Sequence, residues 1–164
     1  MIPLTSRPIW RWLWPLLHDS GGVSAIEFAI AAPLMFIMIL ASIELGMGMI
    51  MDTSVLIAAN EASRYGLTTT APPTGTRDAQ AKQIVMNVIG GWGNVPGTTI
   101  SIVQIDYGTF ANVGTSNNTN GMGGLGDVVS YNISITTNGI TGILPSLKLA
   151  PIIYSSNFIV QNEP

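Results

Sequence analysis

The chain contains no cysteine and a single histidine, His18. Disulfides, thiolate nucleophiles, Cys-based zinc or iron–sulfur centres and multi-histidine metal sites are thereby excluded within one chain. Charge is also scarce: Asp, Glu, Lys and Arg make up 9% of the residues, against roughly 25% in an ordinary soluble domain. Six Lys and Arg stand against nine Asp and Glu, with a pI near 4.8, so the basic footprint of a nucleic-acid binder is missing. Intrinsic disorder is excluded from the other side, because 47% of the residues are apolar and the mean hydropathy is +0.43. The inventory calls for no cofactor and no metal, and it points to a protein that is not an enzyme. A carboxylate-only chemistry using Asp106 and Asp127 survives formally, with no substrate suggested.

The apolar excess is concentrated near the start of the chain. Residues 28–43 (FAIAAPLMFIMILASI) carry no charge; Glu44 interrupts, and LGMGMIM continues to Asp52. At ~1.5 Å per residue, a helix over 28–51 is long enough for a hydrocarbon core of about 30 Å. Pro33 removes one helical hydrogen bond, which predicts a kink that a membrane helix tolerates. Ahead of this run lies MIPLTSRPIWRWLWPLLHDSGG, with Arg7, Arg11 and three tryptophans. Basic residues before an apolar segment predict a cytoplasmic N-terminus and an exported C-terminus.

Beyond Asp52 the helical pattern continues. Val55, Leu56, Ala59, Ala62 and Tyr65 recur at spacings of three and four, predicting an amphipathic second half that ends near Gly66. The fold expected is α+β: a long N-terminal helix over 23–66, membrane-spanning in its first half, then a small β-rich head over 67–164. Within the head, Thr76 is placed to cap a short helix over 77–89, whose apolar face would be Ala81, Ile84, Val85, Val88 and Ile89. Three β-type runs follow, Thr98–Tyr107, Val128–Thr137 and Ile152–Gln161. They predict an antiparallel sheet of three or four strands covered by one helix. Residues 112–127, rich in Asn and Gly, read as loop.

The informative junction is Asp19-Ser-Gly-Gly22-Val23-Ser-Ala-Ile-Glu27-Phe28. A secretory signal would place its small residues after the apolar run; here Gly21-Gly22 lies before it. Cleavage after Gly22 would create a new N-terminus at Val23, four residues from Glu27. A carboxylate in a membrane helix costs roughly 2.5–3.5 kcal/mol, and the new amine, in the same chain or a neighbour, would supply a positive partner. Placement of Glu27 in the headgroup layer explains it equally well.

The stretch GGVSAIEFAIAAPLMFIMILASIELGMGM resembles the TadE-like pseudopilins of tight-adherence (Flp) pilus systems, and its first residues resemble the type IV prepilin cleavage site. The resemblance extends from Gly21 to about Arg64, including Pro33, the Ile43–Gly46 exit and Ala62–Arg64, and returns at Asn162–Pro164. It implies a type IV pilin-like fold and a leader, 1–22, removed by a prepilin peptidase between Gly22 and Val23. Glu27 and Phe28 would serve processing or assembly. It further implies an inner-membrane, single-pass protein whose partners are that peptidase, other pilins, the assembly platform and the lipid bilayer. A different expectation is a signal-anchored envelope protein that binds a partner through its head and never polymerises.

Weaker signals fit this frame. Ser42 and Gly46 have small-xxx-small spacing, and with Glu44 they are candidate helix–helix contacts; Glu44 also suits the outer membrane interface. Gly121–Gly126 has the letters of a dinucleotide fingerprint, but a loop precedes it and a strand follows, so it reads as a flexible surface loop.

Overall fold

The computed structural model describes residues 22–68 and 71–163. The expected leader, 1–22, lies outside the described residues except for Gly22, and with it His18 and three of the tryptophans. The chain divides into two compact units, one up to Ile39 and the other from Leu40 onward.

A single helix, α1, covers Val23–Leu67 and passes through both units. Ala, Leu, Met and Ile favour it, and Pro33 sits inside it, where the missing N–H leaves the Ala29 carbonyl without its helical donor. In the first unit none of residues 22–39 is buried. An 18-residue window of its sequence is apolar enough to cross a membrane and has no buried residue.

In the second unit α1 joins a four-stranded antiparallel sheet. The strands are β1, Thr99–Asp106; β2, Thr119–Asn120; β3, Val128–Thr137; and β4, Ile152–Gln161, in the order β2-β1-β3-β4. The strand β2 lies in the stretch expected to be loop; it pairs Asn120 with Ile105 and Thr119 with Asp106. Register fixes the two faces. Ile100, Ile102 and Gln104 of β1 lie beside Ile135, Ile133 and Tyr131 of β3, which lie beside Tyr154, Ser156 and Phe158 of β4. This face forms the core with Met51, Val55, Ala58, Ala59 and Ala62 of α1.

The buried stripe of α1 differs from the expected one. Leu56 is 51% exposed, while Met51, Ala58 and Gly66 are buried. Small residues let the helix axis approach the sheet, and Leu56, rotated about 100° from Val55, falls off that narrow stripe. Gly48 and Gly66 set the closest approaches: a Cβ on either would collide with the hydroxyls of Tyr154 and Tyr131, respectively.

The short helix, α2, runs over Arg77–Ile89, with the Thr76 side chain accepting from the Ala79 N–H at 3.2 Å. Ala81, Val85 and Ile89 are buried, whereas Ile84 is half-buried and Val88 exposed. A single line of side chains at i, i+4, i+8 suffices for a helix that touches the sheet along one edge. A one-turn helix, α3, Ile143–Ser146, lies in the β3–β4 connection.

Candidate functional site

The residues at the expected processing point are all accessible. Gly22 is exposed immediately before the helix, and a Cβ there would meet nothing within 4 Å. Val23 opens α1 and is 50% exposed, with Ile26 and Phe28 more so. Glu27 is exposed on the same first turns. These side chains present a short apolar helix start bearing one carboxylate, preceded by a position without steric restriction. Pro33 follows within the continuous helix.

The three candidate helix–helix residues separate. Ser42 and Gly46 share an exposed face, and a Cβ on Gly46 would meet open space. Glu44 points the other way, about 200° around the helix, and is 9% exposed. Its carboxylate is taken up by the β3–β4 connection. The Ile140 N–H donates to both oxygens at 3.0 and 3.1 Å, the Thr141 N–H to Oε2 at 2.9 Å, and the Thr141 hydroxyl to Oε2 at 2.6 Å. The carboxylate of Glu44 thus has an intramolecular set of donors. Gly139 makes this possible: its φ of +91 disfavours a side chain, and a Cβ would lie 2.7 Å from Glu44 Oε1. Sequence reasoning missed this clamp, although an isolated Glu in an apolar run and an Asn-Gly-Ile-Thr-Gly turn were both visible.

Below the clamp, Tyr154 packs on Gly48. Burial raises the pKa of its phenol, with the negative charges of Glu44 and Asp52 acting in the same direction. Tyr131, facing Gly66, is pushed up to about 12, chiefly by burial; Arg77 opposes this and Asp78 and Tyr65 reinforce it. At the far end of α1, Arg77 donates to the carbonyls of Gly66 and Thr68 at 3.0 and 3.1 Å. It thus places a cation where the helix dipole is negative.

The Gly121–Gly126 segment is a loop, as expected, and side chains bond to its backbone. Asn162, 1% exposed, donates to the carbonyls of Met122 and Gly124 at 2.8 Å, and Arg77 donates to that of Gly123 at 3.2 Å. Asp106 and Asp127 flank Gly123. Each accepts a nearby backbone N–H, from Gly108 and Gly124, which gives both carboxylates a turn-forming role. A strand, β3, follows this segment where a nucleotide fingerprint would need a helix.

No curated protein and no solved structure matches the chain. A family model does: that of TadE-like protein, over residues 22–64. The match begins at the glycine that precedes α1 and ends three residues before the helix does. It includes Gly22, Val23, Glu27, Phe28, Pro33 and Glu44, and excludes the sheet. Over this helix, residues 22–64, the chain carries a TadE-like domain, which supports a TadE-like protein of the Tad pilus family.

Proposed function

We propose that the protein is a structural component of pilus biogenesis, a pseudopilin or minor pilin rather than an enzyme. It is made as a precursor and processed after Gly22 by a prepilin peptidase. One observation carries this reading: the family match starts at Gly22, where an exposed and sterically free glycine precedes a helix whose residues 23–43 include no buried one.

That helix is best suited to a single crossing of the bacterial inner membrane. From Glu44 onward one face is covered by the head, so the stretch with no buried residue is 23–43, shorter at its outer end than the 28–51 span read from hydropathy. At ~1.5 Å per residue its length is about 31 Å, close to a hydrocarbon thickness of ~30 Å. Basic residues in the leader support a cytoplasmic N-terminus and an exported head. Cleavage supplies an amine at Val23, one helical turn from Glu27. In a bundle of such helices an amine–carboxylate pair between neighbours fixes axial register, as buried polar pairs do in coiled coils. Ser42 and Gly46 offer the small surface for close helix approach. The partners are the peptidase, other pilins or pseudopilins, the assembly platform and the bilayer.

N-terminal sequencing of the membrane-bound protein, with and without the peptidase, tests this. The expected product begins Val-Ser-Ala-Ile-Glu and appears only with the peptidase; a persistent Met1 terminus refutes processing. Gly22→Ala is expected to reduce maturation while leaving membrane insertion unchanged, because its Cβ meets nothing in the fold. Unaltered cleavage in that variant would remove Gly22 as the recognised residue.

A further inference from the structure

The β3–β4 connection differs in chemistry from the other loops of the head. Between Asp127 and Glu163 the sequence carries one charge, Lys148. On either side of it Leu147 is 59% exposed and Leu149 54% exposed, and Ile153, at the start of β4, is 65% exposed. Three large exposed apolar side chains thus fall within seven residues of chain, with one cation between the two leucines. Lys148 also has φ 55, making it the one non-glycine residue with positive φ among the described residues. Its conformation is held by two backbone bonds, Lys148 N–H to Pro145 O at 3.1 Å and Leu149 N–H to Leu144 O at 2.9 Å. The segment is thus a fixed turn.

The location of this turn follows from two contacts in the same unit. Glu44 binds Ile140 and Thr141, and Tyr154 abuts Gly48. Together they hold the β3–β4 end of the sheet beside residues 44–48 of α1. In the sequence, Glu44 is the residue at which the charge-free run ends. The opposite end of the sheet carries Asp106, Asp127, Arg77 and Glu163, the charges expected to remain in water.

We propose that residues 147–153 form a second membrane contact. Leu147, Leu149 and Ile153 enter the boundary between headgroups and acyl chains of the bilayer that α1 crosses, and Lys148 meets lipid phosphates there. This rests on the single-span reading of α1. The lipid surface suits the patch in three respects: the apolar side chains need a non-aqueous medium, the cation matches anionic headgroups, and the Glu44 clamp sets the depth. A long lysine stem places its ammonium at the polar level while its methylenes stay with the leucines. The head is then held to the membrane at two points, and its departure into an assembly requires release of both.

The absence of cysteine permits a direct test in the full chain. Leu34→Cys, Leu149→Cys and Asn117→Cys are made singly and labelled with an environment-sensitive fluorophore. Each is reconstituted into phosphatidylcholine vesicles with or without phosphatidylglycerol, at less than one chain per vesicle and, separately, at high protein density. Quenching by aqueous iodide and by brominated acyl chains is measured. The labels at 34 and 149 are expected to be quenched by brominated lipid and to be at least about threefold less sensitive to iodide than the label at 117. With phosphatidylglycerol, Lys148→Glu is expected to raise iodide sensitivity at 149. Protection at 34 with full iodide access at 149 overturns this proposal and leaves the span intact; exposure at 34 overturns both. Protection at 149 that appears only at high protein density assigns the patch to a second copy of the chain and also overturns the proposal. A lack of response to Lys148→Glu overturns the assigned phosphate contact.

Discussion

Removing the Glu44 carboxylate tests how the head is tied to its helix. Glu44→Ala deletes the acceptor for the Ile140 N–H, the Thr141 N–H and the Thr141 hydroxyl. Hydrogen bonds to a charged group are worth about 1.5–3 kcal/mol each, but they are not additive when one carboxylate serves all of them. Ile140 and Thr141 are half-buried, so water can replace part of the loss. The expected destabilisation is about 2–3 kcal/mol in all. For a unit of this size that lowers Tm by roughly 10 °C or more. The share carried by the 2.6 Å Thr141 hydroxyl contact is isolated by a double-mutant cycle of Glu44→Ala and Thr141→Val, with an expected coupling of about 1.5 kcal/mol. Melting of the full chain in detergent, followed by circular dichroism, gives the four stabilities. Hydrogen exchange across 138–142 reports whether the loop has come away locally. Additive effects within about 0.3–0.5 kcal/mol, together with unchanged exchange in that segment, would refute the clamp.

Further outcomes follow from the core. Gly66→Ala drives a methyl into the Tyr131 hydroxyl and is expected to cost about 1–3 kcal/mol, as overpacking does; Tyr131→Phe in the same chain should recover most of it in chemical denaturation. Tyr131 binds its proton more tightly when folded, with a pKa raised from 10.0 to about 12. Its contribution is therefore complete below pH 10 and declines as pH rises toward 12. Tyr131→Phe should flatten that alkaline decline in melting experiments. Gln104 is 3% exposed and both its amide atoms lack a partner, so Gln104→Leu is expected to raise stability by about 1–2 kcal/mol; a fall would show that the amide is satisfied in solution.

Much of the architecture was legible from local pattern. The alternation in Ile100/Ile102 and Tyr131/Ile133/Ile135 placed those strands and their inward face, and Thr76 marked the start of α2. These features depend on neighbours a few residues away. Less legible were properties arising across the sequence. Leu56 has the spacing of a core residue, but the glycines and alanines that bring α1 close to the sheet choose a different stripe. Glu44 resembles an interface or interhelical residue until a loop nearly a hundred positions later supplies its donors. Gly48 gave no signal in isolation and Gly66 only that of a helix end, because their packing role lies in the tyrosines opposite them. At the proposed processing point the situation is reversed. Gly22, Val23, Glu27 and Phe28 are conspicuous in sequence, and in the fold they form no constellation beyond an accessible helix start. A site read by another protein need not be assembled by its own chain.

The order in which contacts become available has a consequence for folding. The strand β4 pairs along its whole length with β3, and Asn162, just beyond it, secures the segment around Met122 and Gly124. Until residues 152–162 are present, the hydrophobic face of β3 has an open edge and Gly48 lacks the tyrosine that covers it. The sheet joins positions far apart in the chain, a high contact order that slows closure. α1, by contrast, is built from local bonds and can form at once. Synthesis therefore yields a finished helix carrying an unfinished head. During that interval the edge of β3 is a template for strand exchange with another nascent copy; β4 covers that edge and becomes the outer strand of the sheet itself.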